Sequence, residues 1–123
     1  MADAAASAAT LTPIPARAQG LALALHAAGD DTKAVRALRD GTFLSLAHGP
    51  TALAALVREG SLPTTPAEAA ARLAQDDVAL HAELCRVLET GDRDEATRRL
   101  RKATGLDLAN AYLLVEQLAE PED

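Results

Sequence analysis

The chain has 123 residues, enough for one compact domain or for two half-size units sharing a core, and too few for more. Hydrophobic residues make up 49% of it but aromatics only 2%, and the apolar content is mostly Ala and Leu, so closely packed helices are expected throughout. The net charge of −6 resides in the second half: residues 1–62 carry five basic and five acidic side chains, residues 63–123 seven basic and thirteen acidic, a balance that argues against a general nucleic-acid binder.

Residues 1–14 are rich in Ala and Pro, and Thr12-Pro13-Ile14-Pro15 favours extended backbone, so a flexible arm is expected there. With no basic start before an apolar run, this arm does not read as a signal peptide. A first helical unit is expected over 15–60. Its helix A runs from about Pro15 to Ala28, with Leu21, Ala24, Leu25 and Ala28 as the inner stripe and Gly29 as the stop. Asp30 caps a helix B to about Asp40, and helix C starts near Pro50 and ends near Glu59. After a linker at 61–65, a second unit spans 66–120. Thr65-Pro66-Ala67-Glu68 is a helix start, and residues 66–90 form one helix or restart at Asp76-Asp77. Gly91 ends that segment; Asp92 caps the next helix with Glu95 as capping-box partner, and Ala96, Leu100 and Ala103 form its inner stripe. Thr104, Gly105 and Leu106 make a structural turn, Gly105 supplying positive φ, and Asp107 caps a final helix whose apolar face is Leu108, Ala111, Tyr112, Val115 and Leu118.

The two units share a register. Shifted by 62 residues, 29–53 and 91–115 are identical at ten positions, among them Gly29/Gly91, Asp30/Asp92, Arg36/Arg98, Leu38/Leu100, Arg39/Arg101, Thr42/Thr104 and Leu44/Leu106. The expected fold is therefore all-α: two tandem helix-hairpin units, A-B-C repeated, packed as one helical domain.

Residues 91–118, through Ala96, Leu100, Arg101, Ala103-Thr104-Gly105-Leu106, Leu108, Ala111 and Leu114-Val115-Glu116, resemble the helical part of the C-terminal domain of bacterial ribosomal stalk proteins. The flanking strands of that family have no counterpart here, because a helix is expected before Gly91. The resemblance implies that Arg93, Arg98, Arg101 and Leu108 belong to a partner-binding face; Lys102 and Tyr112 join them by position, Tyr112 standing where the family has lysine. A similar Leu-Arg-x-x-Thr-Gly turn occurs in the helical N-terminal domain of elongation factor Ts.

No catalytic constellation stands out. Asp77, His81 and Cys85 share a helical face, but Cys85 falls within the apolar stripe, and core packing explains it better than nucleophilic or metal chemistry. A single cysteine fits a reducing cytoplasm, no run approaches the roughly 20 apolar residues that span a bilayer, and the Ala- and Arg-rich composition reads as that of a GC-rich bacterium. Neither cofactor nor metal is expected. The function expected is a non-enzymatic protein-interaction module, an adaptor or regulator contacting the translation machinery. Self-association into a homodimer is expected as a way to complete the core. The alternative is a helix-turn-helix transcriptional regulator built on residues 99–118, although its second helix offers no Arg or Lys to DNA.

Overall fold

Eight helices and no strand make up the regular structure of residues 7–120, the part of the chain described by the computed structural model: α1 (Ala8–Leu11), α2 (Ala16–Ala27), α3 (Asp31–Arg39), α4 (Gly49–Glu59), α5 (Pro66–Asp76), α6 (Val78–Glu89), α7 (Arg93–Thr104) and α8 (Leu108–Ala119). Five of them start on a side-chain cap: Asp30 accepts from the Lys33 N–H, Thr65 from Glu68, Asp77 from Leu80, Asp92 from Glu95 and Asp107 from Asn110. Each such cap is worth about 1 kcal/mol and fixes where a helix begins. Asp77 also settles the 66–90 segment as two helices. Its backbone leaves helical space (φ −144°, ψ 78°) while its N–H still bonds to the Leu73 carbonyl of α5.

Capping partners differ in detail from expectation. Glu95 turns to Arg98 and Arg99 rather than back to the Asp92 N–H. Glu68 reaches one residue beyond its cap, accepting from both the N–H and the hydroxyl of Thr64. Ala103, placed in an inner stripe by periodicity, is exposed; on α8, Leu108 and Tyr112 of the expected apolar face are exposed as well, and Leu114 is buried with Ala111 and Val115.

The helices pack into one domain around two apolar clusters. One gathers Ile14, Ala22, Leu38, Leu44, Leu53, Leu56 and Leu62; the other gathers Leu73, Leu84, Ala96, Leu100, Leu106, Leu114 and Val115. Short α1 lies against α4 and α5 and feeds both clusters, Ala9 into the first and Ala8 and Leu11 into the second. The flexible arm expected over 1–14 is thus not what residues 7–14 form; residues 1–6 lie outside the described residues. Ala9, Leu11 and Ile14 are fully buried, and that burial outweighs the extended bias of the prolines.

Helix α2 departs furthest from its expected face. Leu21 is 54% exposed, with Ala24 and Ala28 also outside, while Ala22 and Gln19 face inward. Apolar residues lie nearly all round α2, so spacing alone could not say which side would be buried. The choice falls to Gln19. Its Nε2 donates to the carbonyls of Ile14 (2.8 Å) and Leu62 (2.9 Å), and its Oε1 accepts from the Leu62 N–H (2.9 Å). The expected linker is therefore pinned rather than free: Leu62 and Pro63 are buried, and the Ile14 N–H bonds to the Pro63 carbonyl.

The 62-residue register reappears in local chemistry. Helices α2 and α6 begin and end 62 positions apart, as do the starts of α3 and α7. Gly29 and Gly91 take φ of 84° and 83°. Thr42 and Thr104 each donate to the carbonyl four residues back, Leu38 and Leu100, and each accepts from the N–H two residues on. Arg39 and Arg101 each fold back so that Nε donates to the carbonyl five residues on, at 3.3 and 3.4 Å.

The turns differ at their stop. Gly41 (φ 74°) ends α3 early, whereas α7 continues to Gly105, whose φ of 82° lies in the left-handed region that non-glycine residues avoid. A Cβ on Gly105 would also stand 3.1 Å from Cε1 of His48, where the head of α4 meets the turn between α7 and α8. Gly105→Val should cost about 1 kcal/mol or more, read as a lowered midpoint in urea with an unchanged slope.

Candidate functional site

The basic face expected on the second hairpin is largely neutralised within the chain. Arg93 is bridged by two carboxylates, Glu116 of α8 at 3.8 Å and Glu120 just past the helix in closer contact. Arg98 and Arg99 both grip Glu95, whose carboxyl is held below its ordinary range by the hydrogen bonds from Arg99 and then Arg98. Arg99 also reaches Glu83 of α6 at 3.0 Å. Arg101 braces its own turn through the Leu106 carbonyl, and Lys102 is exposed. Leu108 (59% exposed) and Tyr112 (42%) do reach solvent at the start of α8, joined by Leu113. The matched arginines therefore have a structural use: Arg39 and Arg101 tie helix to turn.

A different surface is open. The ends of α2, α3 and α4 enclose a groove of about 750 Å³ with an apolar floor of Val35, Leu46, Pro50, Leu53, Ala54 and Val57. Its rim is charged. Arg36, Arg39 and Arg58 line it, and at one end His26 and Asp31 pair at 2.7 Å. Arg58 pairs with neighbouring Glu59, whereas Arg36 and Arg39 have no carboxylate partner among the described residues. Close approach of α3 and α4 makes the floor: Gly49, at the start of α4, meets Val35 where a larger residue would hold the helices apart. Leu46, 68% exposed, and Val57, 41% exposed, are large apolar side chains left in water at its edge.

In sequence register, the second unit places Arg93 where the groove has Asp31, Tyr112 at Pro50, Glu116 at Ala54 and Glu120 at Arg58. The Arg93 bridges cross this region, where a smaller space of about 420 Å³ remains beside Leu88, Arg93, Ala119 and Glu120. The groove was not found from sequence. Its signals were Leu46 and Val57, apolar residues outside every inner stripe, and the Pro50 and Ala54 that replace larger counterparts.

Other candidates are accounted for structurally. Asp77 is spent on capping α6, and His81 Nε2 stands 3.9 Å from Cys85 Sγ in a half-buried pair. No group of three His, Cys, Asp or Glu side chains converges on a metal-sized space among the described residues. His48 shares a 2.8 Å hydrogen bond with Ser45 at the head of α4.

One charged cluster joins α4 to α5. Arg72 of α5 spans Glu59 of α4 at 2.8 Å and Asp76 one turn on, its side chain only 18% exposed. Burial raises the Glu59 carboxyl, but the hydrogen bonds and charge of Arg72, helped by Arg58, outweigh it and leave the group below its ordinary value. A depressed carboxylate stabilises the fold above its unfolded pKa, and that contribution is lost as pH falls through the folded value. Arg72→Ala should therefore lower stability at neutral pH by about 0–1 kcal/mol and make the acid limb of a stability-against-pH curve shallower than wild type. Equal acid limbs would contradict the linkage.

Comparison with protein-family models, with curated proteins and with solved structures finds no match for the chain.

Proposed function

We propose that the protein is a non-enzymatic interaction module, and that the groove between α3 and α4 is its working surface. The observation that carries this reading is the pairing of an open apolar floor with Arg36 and Arg39 on its rim, neither held by a carboxylate of the described residues. Apolar burial supplies affinity in such a groove, and the arginines supply orientation through bidentate contacts. The two units are read as copies of one ancestral helical hairpin, on the strength of the 62-residue register and the shared caps, threonine bonds and arginine braces. On that reading one copy kept the wider groove while the other narrowed the equivalent region with the Arg93 bridges. The stalk-like residues 91–118 support a finer form, an adaptor or regulator contacting the translation machinery.

The helix-turn-helix reading rests on α7, the short turn and α8. Its weakness is electrostatic, since the exposed start of α8 presents Leu108, Tyr112 and Leu113 rather than cations for phosphate. No described helix is long and apolar enough to cross a membrane.

Affinity capture from the cells of origin tests the module reading. Immobilised wild type should retain discrete proteins that Leu46→Glu/Val57→Glu releases, with both forms equally folded by circular dichroism. Identical captured sets would contradict the reading.

A further inference from the structure

We infer that the occupant of the α3–α4 groove is an acidic amphipathic helix of a partner protein, about three turns long; the inference rests on the interaction-module reading above. Three observations select this chemistry. The first is shape: α4 has 11 residues and α3 has nine, so the groove offers roughly 16 Å of length, matching about three turns of a helix laid along it. An apolar floor of Val35, Leu53, Ala54 and Val57 then takes one stripe of such a helix.

The second is charge. Arg36 and Arg39 are one turn apart on α3, and no carboxylate of the described residues pairs with either; the same holds for Arg17, Arg86 and Arg101, but only Arg36 and Arg39 of these five line the groove. An occupant carrying Glu or Asp along one flank completes these ion pairs as it covers the floor, and loss of water there strengthens them. A basic or neutral helix would bury the arginines without compensation.

The third is residues 91–120, where the space at the matching positions is smaller, about 420 Å³, and its side chains are bridged to one another. There Glu116 of α8 and Glu120, just past its last residue, hold Arg93. The first unit has Ala54 and Arg58 at those positions, so neither carboxylate is supplied by the chain itself. Asp31 stands in place of Arg93 and pairs with His26, so Arg36 and Arg39 face a space that neither of those acids enters, and an acidic helix brings carboxylates to them from outside.

Fluorescence anisotropy with two labelled synthetic peptides tests the inference. Both are 16-residue helices with leucines at i, i+3, i+4 and i+7; one carries Glu on its flanks and the other Lys. Wild type should bind the Glu peptide at least about ten-fold more tightly than the Lys peptide, the difference shrinking as salt rises. Arg36→Glu should abolish that preference. Ala54→Glu, which places in the groove the acid found at the matching position of the second unit, should weaken the Glu peptide by about ten-fold or more while thermal melts stay close to wild type. No preference for the Glu peptide, or a preference that survives both substitutions, overturns the inference. No binding of either peptide below about 100 μM also overturns it. If the peptides fail and sedimentation equilibrium shows a dimer dissolved by Ala54→Glu, a second copy of this chain fills the groove. In either failure, continued loss of captured proteins in Leu46→Glu/Val57→Glu would leave the module reading standing, so the two failures are separable.

Discussion

Leu11→Ala is expected to destabilise the protein by about 2–5 kcal/mol, the range for emptying a buried leucine site. Leu11 belongs to a helix of four residues, far too short to persist by its own hydrogen bonds. Its position depends wholly on packing: Leu11 enters the cluster of α5 to α8, Ala9 the cluster of α2 to α4, and both are fully buried. Thr12 closes the helix with a 2.7 Å bond from its hydroxyl to the Ala8 carbonyl, and Ile14 anchors the chain to Pro63. Shortening Leu11 therefore loosens the piece that both halves share. Leu21→Ala, on the exposed side of α2, should by contrast change stability by less than about 0.5 kcal/mol. Urea denaturation of the two variants checks both statements. A neutral Leu11→Ala would mean that residues 7–14 do not hold the units together.

Gly49→Ala should also destabilise, for the opposite reason. A methyl group there would lie 2.6 Å from Cγ1 of Val35 and 3.4 Å from Cδ of Arg39. Arginine can swing aside, but a valine in a helix has essentially one χ1 state, so α3 and α4 must part or strain. Overpacking of this kind costs about 1–3 kcal/mol, against a gain of roughly 0.5–1 kcal/mol from replacing a helical glycine. The net loss should disappear when Val35→Ala is added, because the second substitution removes the atom in conflict. A double variant no more stable than Gly49→Ala would show that the helices are not held apart by this contact. Because the same contact shapes the groove floor, Gly49→Ala should weaken whatever the groove binds even under conditions where the protein stays folded.

Much of this fold can be read from the sequence, and the parts that cannot have identifiable causes. Polar caps declare themselves locally: Asp30, Asp92 and Asp107, with Thr65, mark helix starts because a side-chain oxygen next to an apolar run has one use there. The positive φ of Gly105 is equally local. Burial is not. Helix α2 is apolar on nearly every side, so its inner face was set by Gln19 finding the Leu62 backbone 43 residues away, a contact without periodicity. Residues 7–14 read as an arm because the alanine run is of low complexity and the prolines favour extended backbone, yet two neighbouring cores gave Leu11 and Ile14 somewhere to go.

The candidate site was harder still. The basic residues of the second hairpin were visible as a cluster, but their carboxylate partners come from α6 and α8 as well as from α7 itself. The groove of the first hairpin is defined by what is small or absent, Gly49, Pro50 and Ala54, and a missing side chain leaves no motif to recognise.

Site-specific photo-crosslinking in the cells of origin bears most directly on the groove as the binding surface. The photoreactive residue would replace Leu46 at the groove, Leu113 on the exposed start of α8, or Ala79 on α6, all three positions being exposed. A working groove requires discrete protein adducts from position 46, fewer or none from 113, and none from 79. Adducts confined to position 113 would move the interaction to the second hairpin, and their absence from all three would contradict an interaction module of this design.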